Sequence, residues 1–148
     1  MDQDELQRIT TLPDYLPSPQ VEKELASLLR SFRNGVPDPA EKWMMMQALS
    51  QLADRQWQTY EILPHAARKR LSAFAIGVWD RGDLGSTALM LAIIRSLGLA
   101  DALAYAVSVD PATLESAIAA RIRHAYAAFG DTVDNPYALI KQRQQQQR

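Results

Sequence analysis

The segment from Ser86 to Leu97 constrains the fold more than any other, because Leu89, Met90, Leu91, Ile93 and Ile94 cover more than one face of any helix it forms. A helix that is apolar almost all round is stable only where other groups cover it on nearly every side. Its longest unbroken apolar run, Ala88 to Ile94, is seven residues, against the ~20 needed to cross a bilayer. The cover must therefore be protein, and the segment is expected as a central helix near 86–97.

The helices that would cover it are legible from their start and stop signals. Ser18 as N-cap and Pro19 at the first helical position precede Val21, Leu25, Leu28, Leu29 and Phe32 at helical spacing, until Asn34 and Gly35 stop the helix. Asp38, Pro39 and Glu41 repeat the start signal. A long helix from 39 to about 60 should follow, with Trp43, Met46, Leu49, Leu52 or Ala53, Trp57 and Tyr60 on one stripe and Gln47, Gln51, Asp54, Arg55 and Gln58 outward. After Pro64 a helix turns Ala67, Leu71, Phe74, Ala75 and Val78 inward, with Gly82 past its end; Arg68, Lys69 and Arg70 fall in its first turns, where cations oppose the helix dipole. Gly98 ends the central helix, a short helix spans about 100 to 107, and Asp110-Pro111 opens a last helix carrying Leu114, Ile118, Ile122 or Ala125, Tyr126 and Phe129 up to Gly130.

No stretch alternates with period two for long enough to read as a strand, and no repeat of 20 to 50 residues is visible. The 22 alanines and 18 leucines against six valines lean the same way. The expected fold is all-α: a single compact orthogonal array or bundle of about six helices. Residues 1–19 read as a short helix with Leu6 and Ile9 on one side followed by a proline-rich arm, residues 20–130 as the helical domain, and residues 131–148 as a polar, glutamine-rich tail in which 136–146 tolerates helix.

Sixteen basic and 17 acidic residues leave a net charge of −1, so no global field steers the chain to nucleic acid or an anionic membrane. The absence of cysteine excludes disulfides and thiolate chemistry, and the acidic opening MDQDELQR does not read as a secretory signal; a cytoplasmic protein is expected. The catalytic inventory is short. His65 at a helix start and His124 beside Arg121 and Arg123 read as surface residues, and no zinc-ligand spacing, nucleophile elbow, phosphate-binding loop or dinucleotide fingerprint occurs. The expectation is no catalytic residue, no metal and no cofactor, with an enzyme or small-ligand protein the least favoured class.

Two stretches point to binding. In Trp43-Met44-Met45-Met46, four consecutive large apolar residues point in about four directions round a helix. Either further helices or a second copy cover the far side, or part of the group is an adaptable binding surface. Trp43, Met44 and Met45 are the expected partner anchors. Arg81 and Asp83, in the charged turn after Trp79 and Asp80, are the expected polar rim. In the same turn the Ser86 and Thr87 hydroxyls offer themselves to an anion at a helix N-terminus, or the segment is a tight helix-helix turn with Asp83 or Ser86 as N-cap.

The second stretch is ALAYAVSVDPATLESAI, residues 102–118, with Ala104 as the small residue at a helix crossing, Val107 and Val109 flanking a turn, and Leu114 anchoring a second helix from which Thr113 and Ser116 look outward. It resembles the helix-turn-helix of repressor-type DNA-binding domains, with Ser108 where that pattern has a turn glycine. The resemblance implies a DNA-binding regulator using Thr113, Ser116, Arg121 and Arg123. Asp110 and Glu115 stand at the leading end, where phosphates call for positive charge. The preferred expectation is therefore a non-enzymatic protein-interaction module or adaptor, with a homodimer among its forms and DNA binding as the alternative.

Overall fold

Three aspartates start three helices in the same way. Asp2 accepts the Glu5 amide at 2.9 Å, Asp38 the Glu41 amide at 2.8 Å and Asp83 the Ser86 amide at 2.8 Å. Each satisfies one of the donors that a helix leaves unpaired at its start, an effect of about 1 kcal/mol.

The structure, a computed structural model, describes residues 1–31 and 37–138. These form α1 (Gln3–Thr10), α2 (Ser18–Ser31), α3 (Pro39–Trp57), α4 (His65–Val78), α5 (Leu84–Leu97), α6 (Ala100–Ser108) and α7 (Ser116–Phe129), with 3₁₀ turns at Pro111–Thr113 and Gly130–Thr132. There is no strand among the described residues. The expected helix stop at Phe32, Asn34 and Gly35, and the tail from residue 139 with its glutamine tract, lie outside them.

As its sequence requires, α5 is the buried helix, with Met90, Ile93, Ile94 and Leu97 at 1% exposure or less. It packs most extensively on α3 and also touches α4, α6 and α7. Leu84, Ala92 and Arg95 are among its few exposed positions. At roughly 1.5–3 kcal/mol for each fully buried large side chain, these four residues alone offset much of the entropy of ordering the helix.

Around this pair several expectations need correction. Met45 is in the core beside Met46, because α3 has four helical neighbours, α1, α2, α4 and α5, and so buries a wide stripe. Trp43 and Tyr60, expected inward, are exposed. α3 ends at Trp57, where the Gln56 side-chain amide donates to the Glu61 carbonyl and the Thr59 hydroxyl to the Gln56 carbonyl; Tyr60 then turns through φ 57°.

Arg55, expected outward, is buried. Its guanidinium donates to the carbonyls of Thr10 (3.1 Å) and Leu12 (2.8 Å), at the end of α1, and to the Gln51 side chain and carbonyl. The last carbonyls of a helix need donors, and a buried guanidinium supplies several at once. The arm is thus stapled to the domain, and Ile9 of α1 joins the core.

Residues 131–138, read as the start of a polar tail, instead pack back. Tyr137 is buried, stacks on Trp57 with centroids 4.7 Å apart, and donates to the Trp57 carbonyl at 3.0 Å. This segment crosses Gly98, the left-handed residue (φ 73°) that ends α5 and hands the chain to α6. A Cβ on Gly98 would stand 3.1 Å from both the Val133 carbonyl oxygen and the Pro136 ring.

Two outcomes are expected. Gly98→Ala should cost about 1–2 kcal/mol or more in chemical denaturation, from left-handed strain plus the crowded 133–136 segment. At the other end, Arg8 bridges α1 to α2 by bonding Glu24 at 2.7 Å while also holding Glu5. The Arg8 hydrogen bond holds the Glu24 carboxyl below its ordinary range, against the opposing effect of burial. A depressed folded-state pKa means stability present at neutral pH and lost as pH falls through the carboxylate range. Arg8→Met should therefore flatten the fall in melting temperature between about pH 5 and pH 3.

Candidate functional site

α6 and α7 are joined by residues 109–115, a connection longer than the three or four residues of a helix-turn-helix. Asp110 explains the length. Its carboxylate accepts the Ala112 amide at 3.0 Å and its carbonyl accepts from both the Thr113 amide and hydroxyl, so Asp110-Pro111 winds one 3₁₀ turn instead of opening α7. Leu114 follows in extended backbone, and α7 starts only at Ser116.

The wide connection holds the helices apart on one side. Ala106, Val109, Leu114, Ala119 and Ile122 line an open apolar groove of about 200 Å³, with Val107, Tyr126 and Arg123 also at its wall. Val107 is 41% and Tyr126 52% exposed, whereas Ile122 is buried in the core. Arg121, Arg123 and His124 are exposed on α7, and Asp110 and Glu115 on the connection.

The structure redistributes the residues expected to bind. Trp43 keeps an exposed indole over Gly85, 4.0 Å from where a Cβ on that glycine would lie, and Met44 is half-buried, but Met45 presents no surface. Asp83 is the N-cap of α5, and Arg81 lies over the rings of Trp79 (5.6 Å) and Tyr105 (5.2 Å) and donates to the Tyr105 hydroxyl. Ser86 and Thr87 are buried and occupied: Ser86 Oγ accepts the Asp80 amide, and Thr87 Oγ1 accepts from the Trp79 indole at 2.9 Å. The charged turn satisfies itself, so its hydroxyls do not face an anion.

Of the helix-turn-helix set, Thr113 lies in the 3₁₀ turn and Ser116 at the first position of α7, both exposed, while Leu114 anchors no helix and Ala104 is exposed rather than at a crossing. His65 and His124 are both exposed. Among the described residues no three metal-ligating side chains of His, Asp or Glu converge.

A larger cleft of about 400 Å³ lies where α1 exits over the end of α3, lined by polar groups that include Asp14, Gln51, Asp54 and Arg55. Desolvation holds the Asp54 carboxyl above its ordinary range, partly offset by Arg55. Arg55 Nη2 is committed to the Thr10 and Leu12 carbonyls and Nη1 to Gln51, so this cleft serves the arm's attachment.

Compared with protein-family models, curated proteins and solved structures, the chain matches none. The sequence pattern singles out Val107, Val109 and Leu114 but puts them in a tight hairpin; the Asp110-Pro111 pair, which winds a 3₁₀ turn, is the signal that the hairpin splays.

If the groove wall is spare to the fold, Val107→Glu should shift unfolding free energy by no more than about 0.5 kcal/mol. Ile122→Ala, on the same groove but in the core, should cost about 2–4 kcal/mol in the same denaturation experiment.

Proposed function

We propose that the protein is a non-enzymatic interaction module, an adaptor that receives an amphipathic helix of a partner protein in the groove between α6 and α7. The observation that carries this reading is the size and lining of the groove. At about 200 Å³ it falls below the roughly 300–1,000 Å³ of small-molecule sites, yet exceeds the roughly 150 Å³ apolar cavity that holds a benzene ring. That is room for one aromatic or branched anchor side chain, the kind of residue that dominates interfaces.

Two helices with a gap between them accept a third helix as ridges into grooves, with anchors at i, i+3 or i+4 and i+7. Charge narrows the occupant further. Arg123 at the wall, with Arg121 exposed on the same helix, calls for carboxylates flanking the anchors on the partner. No helix among the described residues is long and apolar enough to cross a membrane. The cysteine-free composition supports placing this activity in the cytoplasm.

Selection of displayed helical peptides against the full chain tests the reading. Enriched sequences should share an apolar i, i+3 or i+4, i+7 stripe with flanking acids, and should lose at least tenfold in affinity, about 1.4 kcal/mol, against Val107→Glu. Light scattering of the same samples identifies a second copy as occupant if the dimer is lost in that variant. Peptides with no shared stripe, or binding unchanged in both Val107→Glu and Tyr126→Ala, would sink the proposal.

A further inference from the structure

On the other side of α6, where it packs against α4, Arg68 and Lys69 carry positive charge that no ion pair neutralises among the described residues. α4 begins without a side-chain cap and has no acidic residue in its first turn, while His65, Arg68 and Lys69 stand in its first two turns. The Arg68 and Lys69 cations there oppose the helix dipole. Facing them is the start of α6, which also lacks a side-chain cap: the Ala100 amide donates to the Gly98 carbonyl at 3.1 Å, and no side chain caps the Asp101 and Ala102 amides. These elements line one small cleft: His65, Arg68, Lys69 and Ser72, at i, i+3, i+4 and i+7 on one face of α4, with Gly98, Ala100 and Asp101 opposite.

Ser72 points to what the cleft takes. It is 2% exposed, and its hydroxyl has no hydrogen-bond partner among the described residues. A serine mid-helix ordinarily bonds the carbonyl a turn before it or faces water. Its oxygen is also absent from the atoms that are both sealed and unsatisfied, which are Arg55 Nε and Gln56 Oε1. It therefore retains solvent access, and the surface it reaches is this cleft. Arg68 is fixed at the rim, with Nε on the Leu63 carbonyl (3.0 Å) and Nη1 on the Asp134 carbonyl (3.1 Å). The one carboxylate in the lining, Asp101, makes no ion pair with these cations among the described residues.

We propose that this cleft between α4 and the start of α6 binds a phosphate-type oxyanion, held by His65, Lys69, the Ser72 hydroxyl and the uncapped amides of α6. The cleft's about 30 Å³ admits one oxygen, the space of one water. The remaining oxygens stay at the mouth among the exposed His65 and Lys69 side chains. A helix N-terminus with adjacent cations and a hydroxyl is suited to such a group. The site is separate from the α6–α7 groove and stands or falls independently of it.

Amide spectra of the full ¹⁵N-labelled chain, titrated with inorganic phosphate and separately with methyl phosphate, test the assignment against sodium chloride at equal ionic strength. Saturable shifts confined to residues 65–72 and 98–103 are expected, with a Kd on the order of 1 mM. Binding of either probe supports the site, and the tighter one names the source as free or esterified phosphate. Lys69→Gln and Ser72→Ala should each weaken binding roughly tenfold. Asp101→Asn should tighten it several-fold by removing the one repulsive charge, an effect that a purely structural Asp101 would not produce. Shifts that match the chloride control, fail to saturate, or keep the same Kd in both Lys69→Gln and Ser72→Ala, checked for retained spectral dispersion, would overturn it.

Discussion

The packing of α5 on α3 is the contact on which the other elements depend. An apolar helix of 14 residues cannot stand at a surface, so α5 needs partners along most of its circumference, and α3 is the longest helix available to provide one. Placing α3 there gives it neighbours of its own in α1, α2 and α4, while α6 and α7 close over α5. The arm and the 131–138 segment then both pack on the C-terminal end of α3: Arg55 donates to carbonyls at the exit of α1, and Tyr137 donates to the Gln56 and Trp57 carbonyls in the last turn of α3 itself.

The nine-residue α6 inherits its position from this arrangement. Gly98 in the left-handed conformation turns the chain sharply off the buried end of α5, so α6 lies between α4 and α7. Its two sides differ in character because its neighbours do. Towards α7 it offers alanine and valine, and the Asp110-Pro111 turn keeps the two helices from closing the gap. Towards α4 it offers an uncapped N-terminus to a row of cations. One short helix thus separates an apolar groove from a basic cleft.

Most of the fold was legible because it follows from local chemistry. The Asp38-Pro39 start, the Gly98 stop and the inward face of α4 each depend on a few adjacent residues, and each is where the spacing puts it. What escaped depends on partners distant in sequence. Arg55 looks like a surface residue until the carbonyls 43 and 45 positions earlier arrive to need it. Met45 looks like a spare anchor until four neighbours surround α3. Tyr137 sits in a polar stretch, and only the aromatic face of Trp57 explains its burial. The groove was half legible: its apolar residues were recognised, but whether a hairpin closes or splays depends on the 3₁₀ turn that Asp110 nucleates.

Native-state hydrogen exchange tests the dependence on the α3–α5 pair most directly, because it ranks the elements by the free energy of opening each. The amides of Leu49 and Leu52 in α3 and of Ile93 and Ile94 in α5 should be the slowest, exchanging only through global unfolding. Those of α1 and the 111–115 turn should open at lower free energy. If α5 amides exchange by a sub-global opening while α6 and α7 stay protected, the central helix is not what holds the array together.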